Sequence, residues 1–357
     1  MAVAVVVVIV LGIGGVLGVA RSIVHQASRT DAKAPTTTAP LTPVEVQVYP
    51  PGPPPGRVVV TPEMADQVLR QFWPVHAQAL YDRDLARLAT LSDGSARRWE
   101  IGAVSCRCLS SDYVRPLLEA GYYVPRQTTY PARFIAQAHT DYGHGQEGLE
   151  LLTFSRRGPQ APWFVIESSF YTPKDGPVQL TVPDVTKDGF TRPVSSATRA
   201  RARSIARQFA TVWQKTKNTG RIPAVAARGF RLGGQPGDRL AQLAEHAQDT
   251  VQRNGLIGHF TYYTTKADPL VVVRLTKEIV LACQPIHGDI TYTPTRGHVV
   301  HQDDAQANWG LNVKPGNYRA INLKQEWQTC FAFRDTPGVP VSVLNNDVGG
   351  GTFTAIR

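Results

Sequence analysis

Cysteine is scarce in this chain, with only four among 357 residues. So few thiols cannot form the dense disulfide framework of a small secreted toxin, and they are not spaced like the ligands of a zinc finger. Beyond residue 20 the sequence lacks long apolar runs, and it shows no collagen or heptad repeat. These absences exclude a toxin scaffold, a polytopic transporter, a collagen and a coiled coil.

Signatures of common enzymes are also missing. The sequence contains no G-x-S-x-G, no H-E-x-x-H, no Walker loop and no G-x-G-x-x-G after a predicted strand. Gly349, Gly350 and Gly351 fall in the last predicted strand, where glycines indicate a bulge or a turn. We therefore assign no catalytic residue and no cofactor, and we expect the protein not to be an enzyme.

The chain does contain enough apolar residues for packed cores. It is 42% hydrophobic and has six tryptophans, and its length accommodates two domains of ordinary size. Residues Ala2 to Ala20 carry no charged or strongly polar side chain, and these 19 residues would span roughly 28 Å as a helix, close to the bilayer core. We predict an uncleaved membrane anchor over residues 1–24, with the lipid bilayer as the partner of residues 2–20. Cleavage after Ala20 is the alternative.

A proline-rich segment follows the anchor. Nine of the 32 residues from Asp31 to Pro62 are proline, which favours an extended, semi-stiff stalk over helix or sheet. We assign residues 25–60 to this stalk. The basic residues after the anchor would place the rest of the chain in the cytoplasm by the positive-inside rule. Because a stalk of this kind is typical of exported domains, we instead predict a single-pass protein whose bulk is extracytoplasmic.

The first globular segment, residues 61–190, changes from helical to strand periodicity. Thr61 and Pro62 are a good helix cap and first turn, and the apolar residues that follow recur at helical spacing. Pro74 lies inside this run, where we expect a kink or break. Two shorter helical runs follow, and from Tyr130 three alternating runs predict an antiparallel meander.

The second segment, residues 191–357, repeats that order. Serines at 195 and 196 precede a helical run, a second helix is predicted over Asp238–Arg253, and strand-like runs fill the remainder. Both segments therefore predict an α+β fold in which N-terminal helices cover an antiparallel sheet.

One motif carries a resemblance to a known family. The run FWPVHAQALYDRDLARLATLSDGSA, from Phe72 to Ala96, is similar to the opening of nuclear-transport-factor-2-like (SnoaL-like) domains. The whole chain resembles actinobacterial membrane-anchored extracytoplasmic proteins of unknown function that carry such domains. The resemblance implies two tandem cones, each with helices packed on a curved antiparallel sheet. The second segment departs from the motif, because RIPAVAARGFRLGG replaces the acidic short helix.

The cysteines divide into two pairs. Cys283 ends an apolar strand and Cys330 lies within another, 47 residues later, so neighbouring strands in the right register would bring them within bridging distance. We predict a Cys283–Cys330 disulfide in an oxidising compartment, with two buried thiols as the alternative. Cys106 and Cys108 are separated by one residue, and their state is left open.

The positive charge is concentrated in the second segment. The chain has a net charge of +10, and residues 191–357 carry 21 basic and 11 acidic side chains. Four arginines lie on the first helix of this segment, and three of them share one helix face by i,i+4 spacing. These arginines are Arg199, Arg201, Arg203 and Arg207. A solvated helix face is the simpler interpretation; contact with an anionic lipid or envelope polymer is the functional one.

Two histidine clusters are weak candidates for metal binding. His139, Asp141 and His144 lie at a predicted hairpin loop, and a second group consists of His298, His301, Asp303 and Asp304. We interpret both as solvated loop residues and predict no metal site. The sequence therefore favours a non-enzymatic binding or scaffolding protein of the cell envelope, whose partner is an envelope protein or an anionic polymer and not nucleic acid. A cavity enzyme or small-molecule binder is the alternative, to be recognised by a deep pocket with convergent acids.

Overall fold

The computed structural model describes residues 49–105, 114–141, 147–171, 185–219, 221–232, 241, 256–266, 268–294, 300–302, 316–336 and 338–356. Within these residues the chain is an α+β protein of helices and antiparallel sheets, as the sequence predicts. The helices are α1 (Pro62–Asp82), α2 (Leu85–Leu91), α3 (Gly94–Ser105), α4 (Ser196–Thr219) and α5 (Ala224–Gly229).

The strands fall into the same two halves as the helices. Those of the first half are β1 (Leu117–Tyr123), β2 (Ala132–Asp141), β3 (Glu147–Arg156) and β4 (Trp163–Tyr171). Those of the second half are β5 (Phe230–Arg231), β6 (Leu256–Tyr263), β7 (Val271–Arg274), β8 (Ile279–Cys283), β9 (Ile286–Pro294), β10 (Val300–Gln302), β11 (Gly316–Tyr318), β12 (Ala320–Arg334) and β13 (Val341–Ile356).

Helix α1 begins where its sequence predicts. The Thr61 side chain accepts a hydrogen bond from the backbone N–H of Met64, and Pro62 occupies the first turn, where its missing N–H costs nothing. The helix continues through Pro74 without ending. Arg83 ends it in a left-handed conformation, with φ of 57°.

The first sheet is the predicted meander with one additional strand. Its order is β1-β2-β3-β4, and every pairing in it is antiparallel. Strand β1 was not predicted, because its sequence LLEAGYY does not alternate strictly between apolar and polar residues. The helix-facing side of the first sheet packs on α1, α2 and α3 around large buried side chains. Among these are Leu69, Phe72, Phe134, Phe154 and Trp163.

The second sheet is organised around the long strand β12. One edge of β12 pairs with β13, and the other pairs with β9 and then with β8. The sequence pattern over residues 270–283 predicts one continuous strand-like run, but these residues form β7 and β8, joined by a turn at residues 275–278. Helix α4 covers one face of this sheet around a second aromatic core. Its large members include Phe209, Trp213, Tyr262, Trp327 and Phe331.

The uncovered faces of the two sheets pack against each other. A third apolar cluster combines Tyr123 and Ile135 of the first sheet with Val273, Leu281 and other residues of the second. The two sheets thus lie between α1 and α2 on one side and α4 on the other, whereas α3 contacts both β4 of the first sheet and β13 of the second. The two halves share a buried interior, which the sequence pattern of two separate domains did not suggest.

The end of the predicted stalk belongs to the packed structure. Residues 25–60 were assigned to the stalk, but Val59 and Val60 are fully buried in the first core and Tyr49 lies at its edge. Arg156 donates a hydrogen bond to the carbonyl oxygen of Pro50, and Tyr130 donates one to that of Pro53. The predicted boundary at residue 60 is therefore corrected, because residues 49–60 already pack on the first half.

Several predicted features lie outside the described residues. These are the apolar segment 2–20, the stalk up to residue 48, most of the helix predicted over Asp238–Arg253, and the pair Cys106 and Cys108. In the described part of the chain, none of the helices combines the length and the apolar character needed to span a bilayer.

Candidate functional site

The predicted disulfide is confirmed, and it lies at the junction between the halves. Cys283 and Cys330 are direct cross-strand partners on β8 and β12, with Cα atoms 4.2 Å apart. Both belong to the cluster that joins the two sheets. The sulfur of Cys330 also lies 3.6 Å from the hydroxyl oxygen of Ser169, on β4 of the first half.

The four arginines of α4 do not form one uniform surface. Arg199 and Arg207 are exposed, whereas Arg201 and Arg203 are half-buried. Arg201 lies over the ring of Phe333, 5.5 Å from its centroid, and donates a hydrogen bond to the carbonyl oxygen of Thr336. Arg201 therefore contributes partly to the packing of α4 on the second sheet. Contact of this face with an anion remains a prediction.

A buried polar cluster that the sequence analysis missed lies between the helices and sheet of the first half. His76 on α1 and Glu100 on α3 are joined by an Nε2–Oε1 contact of 2.7 Å, and the hydroxyl of Ser92 donates to the other oxygen of Glu100. None of the three residues is more than 3% exposed. The His76 ring also stacks on Phe72, with ring centroids 4.7 Å apart.

A second carboxylate approaches this cluster from the sheet. Glu150 on β3 accepts a hydrogen bond of 2.5 Å from Ser168 on β4. Burial raises the pKa of Glu150; His76, Ser168 and Arg115 oppose this rise, and the charge of Glu100 adds to it. A histidine between two carboxylates can hold or pass a proton. Because His76, Glu100 and Glu150 are buried, they can exchange a proton only with one another or with other interior groups in this conformation.

Another cluster lies at the junction of the two halves and is centred on Glu326 of β12. Arg98 of α3 forms an ion pair with one oxygen of Glu326, and the Nδ1 atom of His287 lies 3.7 Å from the same oxygen. The other ring nitrogen of His287 is 2.7 Å from Asp268. Glu326 lies at a β-bulge of the β12–β13 pair, where the single residue Glu326 of β12 is opposite both Gly349 and Gly350 of β13.

The acid facing this cluster from the first half is Glu167 on β4. It is 1% exposed, and burial raises its pKa well above the usual range, with the charge of Glu326 as the next cause. The backbone amide of Thr329 lowers the pKa of Glu167 and so partly offsets this rise. Glu167 therefore favours its protonated form.

His287 and Asp268, which form a hydrogen-bonded pair beside Glu326, both have shifted pKa values. The hydrogen bond to Asp268 raises the pKa of His287 and outweighs the effect of burial. Burial alone would raise the pKa of Asp268, but hydrogen bonds from His287 and Thr265 lower it. These groups therefore favour an imidazolium–carboxylate pair beside Glu326.

The sequence carried only a faint signal for these clusters. Glu150 and Glu167 each interrupt a largely apolar strand run, whereas Glu326 lies in the mixed run LKQEWQ, and His76 follows Phe72 by one helical turn. A charged residue in such a position indicates a buried partner, but it does not identify that partner. The pairing is visible only in the tertiary structure.

Metal binding finds no support in the described part of the chain, where no group of three or more His, Cys, Asp or Glu side chains is arranged to hold an ion. Of the histidine clusters, His139 and Asp141 lie on β2, and not in the hairpin as predicted. His144, His298 and the acids at 303 and 304 lie outside the described residues.

Fold and site together define an α+β protein built from two helix-covered antiparallel sheets that pack against each other, with polar clusters buried inside. A family model matches residues 57–254, more than half of the chain, and its description is a domain of unknown function, DUF8094. The protein belongs to this family. The matched region starts just before α1 and extends past α4 and α5, so it includes parts of both halves. Comparisons with curated proteins and with solved structures found no match.

Proposed function

We propose that the protein is a membrane-anchored, extracytoplasmic binding or scaffolding protein of the cell envelope and not an enzyme. The observation that carries this proposal is the filling of both helix–sheet interiors. Phe72, Phe154 and Trp163 occupy the first, and Trp213 and Phe331 the second, all at most 1% exposed. Large side chains thus take the space in which a cavity enzyme would bind its substrate.

We also propose that each half is a cone of the nuclear-transport-factor-2-like type. The order of long helix, shorter helices and antiparallel strands in the first half supports this view, as does the placement of the helices on one face of the sheet. In the second half a long helix likewise covers a sheet.

Two features favour an extracytoplasmic location. The apolar run from Ala2 to Ala20 is long enough to anchor the chain, and the segment that follows it is rich in proline. The Cys283–Cys330 bridge favours an oxidising compartment, because cytosolic thiols are kept reduced.

The binding surface in this proposal is the basic side of α4. Arg199 and Arg207 are exposed, and they are separated by eight residues, so they lie on the same side of the helix. A cationic surface near a membrane is attracted to anionic lipid headgroups or anionic polymers at a rate and strength that fall with added salt.

Co-sedimentation with vesicles tests this surface. The full chain without residues 1–24 is mixed with vesicles of anionic or of purely zwitterionic lipid at two salt concentrations. We expect salt-sensitive binding to the anionic vesicles alone, weakened about thirtyfold by Arg199→Gln together with Arg207→Gln, since each basic residue near such a surface contributes about 1 kcal/mol. The matched control is Arg228→Gln with Arg231→Gln, which removes the same charge from outside α4. Equal binding of both double variants would contradict the proposed surface.

A cavity enzyme is the competing proposal, favoured by the His76, Glu100 and Glu150 cluster. A substrate could reach these groups only if α1 or α3 moved away from the sheet. Diethyl pyrocarbonate modifies accessible imidazoles, so the two proposals differ in the expected rate for His76. Slow modification of His76 compared with the exposed His259 supports the closed interior, whereas equal rates would favour the enzyme.

A further inference from the structure

The face of the second sheet that looks away from α4 is polar where it is formed by β6, β9 and the first part of β12. Phe260, Tyr292 and Trp327 of these strands belong to the core under α4, so the alternate positions of each strand lie on the other face. The pairing registers align these positions in three rows of three. This polar grid consists of Tyr263, His287 and Glu326 in the first row, Thr261, Asp289 and Lys324 in the second, and His259, Thr291 and Asn322 in the third.

Most of the polar grid is accessible to solvent. His259, Thr261, Tyr263 and Lys324 are exposed, and the other members except the buried Glu326 are half-buried. The apolar contacts with the first sheet lie elsewhere on this face, around β7, β8 and the later part of β12. Each of the nine side chains carries a hydrogen-bonding group, and together they offer both donors and acceptors.

The first row of the grid includes an aromatic ring in a fixed orientation. The Nε2 atom of His287 lies 2.7 Å from Asp268, and its Nδ1 atom lies 3.7 Å from Glu326. The ring of Tyr263 stacks on that of His287, with centroids 5.4 Å apart and planes inclined by 28°. Because one side of the Tyr263 ring contacts His287 and the residue is still 37% exposed, the opposite side of the ring is available to a ligand.

Hydrogen bonds within the grid hold further side chains in place. The hydroxyl of Tyr263 donates to Asp289 over 3.2 Å, and the hydroxyl of Thr291 donates to the amide oxygen of Asn322 over 2.8 Å. Apart from Lys324 and Glu326, the members of the grid are short or planar side chains. Such side chains lose little conformational entropy when a ligand binds, so the surface is organised before binding.

The charges in and around the grid are balanced. Three acids and three basic groups lie there, and ion pairs join Arg98 to Glu326 and His287 to Asp268. The acids are Asp268, Asp289 and Glu326, and the basic groups are Arg98, Lys324 and the His287 imidazolium. A surface with balanced charge concentrates neither anions nor cations, unlike the basic side of α4. The grid is therefore complementary to an uncharged ligand that is rich in hydrogen-bonding groups.

We propose that the polar grid is a binding site for a neutral oligosaccharide. The C–H side of a sugar ring stacks on the free side of Tyr263, and its hydroxyl groups, which both donate and accept, pair with the neighbouring Thr261, Asp289 and Asn322. From the strand spacing and rise, the grid measures about 10 Å by 13 Å, which suits a short oligosaccharide. The site lies on the opposite face of the second sheet from α4 and requires no membrane, so it goes beyond the proposed function.

Sugar binding by the full chain tests the site. The protein is kept in a polyoxyethylene detergent, which contains no sugar, and is screened on an array of neutral oligosaccharides of glucose, galactose, mannose and N-acetylglucosamine. The strongest binder is then titrated by calorimetry at low and high salt. We expect equal affinities at both salt concentrations, because the ligand carries no charge.

The aromatic contribution is measured with Tyr263→Ala. We expect the affinity for the sugar to fall about tenfold, because the stacking surface is lost. The matched control is Tyr81→Ala, which removes a tyrosine of similar exposure from α1, in the first half. Unfolding midpoints of both variants, compared with the wild type, separate a loss of binding from a loss of folding.

Two further variants distinguish a neutral ligand from a charged one. Asp289→Asn and Lys324→Gln each keep a hydrogen-bonding side chain and remove one charge. A neutral sugar should tolerate each change within about threefold, whereas a basic ligand would depend on Asp289 and an anionic one on Lys324, with a larger loss.

Several outcomes would overturn the proposal. These are a wild type that binds none of the sugars on the array, equal weakening by Tyr263→Ala and Tyr81→Ala, and binding that falls steeply with salt. The proposed membrane surface is tested separately, since Arg199→Gln with Arg207→Gln should leave sugar binding unchanged and Tyr263→Ala should leave vesicle binding unchanged. Either surface can therefore fail without the other.

Discussion

At the scale of single residues, the most informative feature is a set of acids buried at the junction of the halves. Glu326 is paired with cations on both sides, whereas Glu167 faces it from the other sheet with no cation of its own in the described structure. Burial and the charge of Glu326 both raise the pKa of Glu167, so its protonated form is favoured. The junction is therefore sensitive to pH.

The sign of this effect follows from the raised pKa of Glu167. Its stabilising contribution is fully present below the unfolded pKa, near 4.3, and is lost as the pH rises toward the folded value. His287 acts in the same direction at higher pH, because its pKa is raised as well. Asp268 acts oppositely, with its contribution lost only as the pH falls below the usual carboxyl range.

The variant Glu167→Gln tests this prediction, because glutamine imitates the protonated acid. We expect the free energy of unfolding of the variant to exceed that of the wild type increasingly with pH, by about 1.4 kcal/mol per pH unit above about pH 4.5, until the folded pKa is passed. Urea unfolding of both proteins at several pH values measures this difference in the free energy of unfolding. The exposed Glu119→Gln is the control, and parallel pH profiles for wild type and Glu167→Gln would disprove the assignment.

At the scale of elements, β12 connects the features of the second half. It carries Glu326 at its bulge and Cys330 beyond it, on the face that meets the first half, while Trp327 and Phe331 point into the second core. The strand thus alternates between two interiors, as its period of two requires. Gly349 and Gly350, opposite Glu326, lie at a bulge, which is one of the two structures that the glycine run indicated.

The bridge between β8 and β12 should stabilise the folded chain. Closing a loop of 47 residues restricts the unfolded chain, and we expect Cys283→Ala with Cys330→Ala to lower the free energy of unfolding by about 2–4 kcal/mol. Chemical unfolding under non-reducing conditions measures the loss. The background for both proteins is a chain with Cys106→Ser and Cys108→Ser, so that only this bridge differs. Free thiol at Cys283 in the unreduced protein would contradict the prediction.

At the scale of the whole molecule, the halves are not independent domains. Tyr123, Ile135, Leu149 and Leu151 of the first sheet are buried against the second sheet, and the disulfide lies in the same layer. The family match agrees with this arrangement, since it extends across the predicted boundary at residue 190. Separating the halves would expose the apolar layer to water.

Expression of residues 49–190 alone tests this dependence. We expect the fragment to associate or to bind a hydrophobic dye strongly, because its sheet would present an uncovered apolar face. Size-exclusion chromatography and dye fluorescence measure both. The control fragment carries Ile135→Thr and Leu151→Asn on that face, and it should be more monomeric. A wild-type fragment that is monomeric and binds no dye would show that the halves are independent.

Much of the fold was accessible from local pattern. The cap at Thr61, the strands from β2 to β4 and the Cys283–Cys330 pair were predicted because each depends on neighbouring residues or on the alternation of a strand. Strand β1 and the turn between β7 and β8 were missed, because a continuous or irregular pattern hides such features. The buried acids were visible as residues but not as pairs.

The amino-acid sequence was therefore sufficient for the types of element and the α+β class, since periodicity expresses local geometry. It also predicted the Cys283–Cys330 bridge, with two buried thiols as the alternative, and the strand register in the tertiary structure decided between them. Only the tertiary structure decided which sheet faces meet and which charges are enclosed between them. Glu167 and Glu326 are separated by 159 positions. No local pattern relates residues so far apart, because their proximity results from the packing of one half on the other.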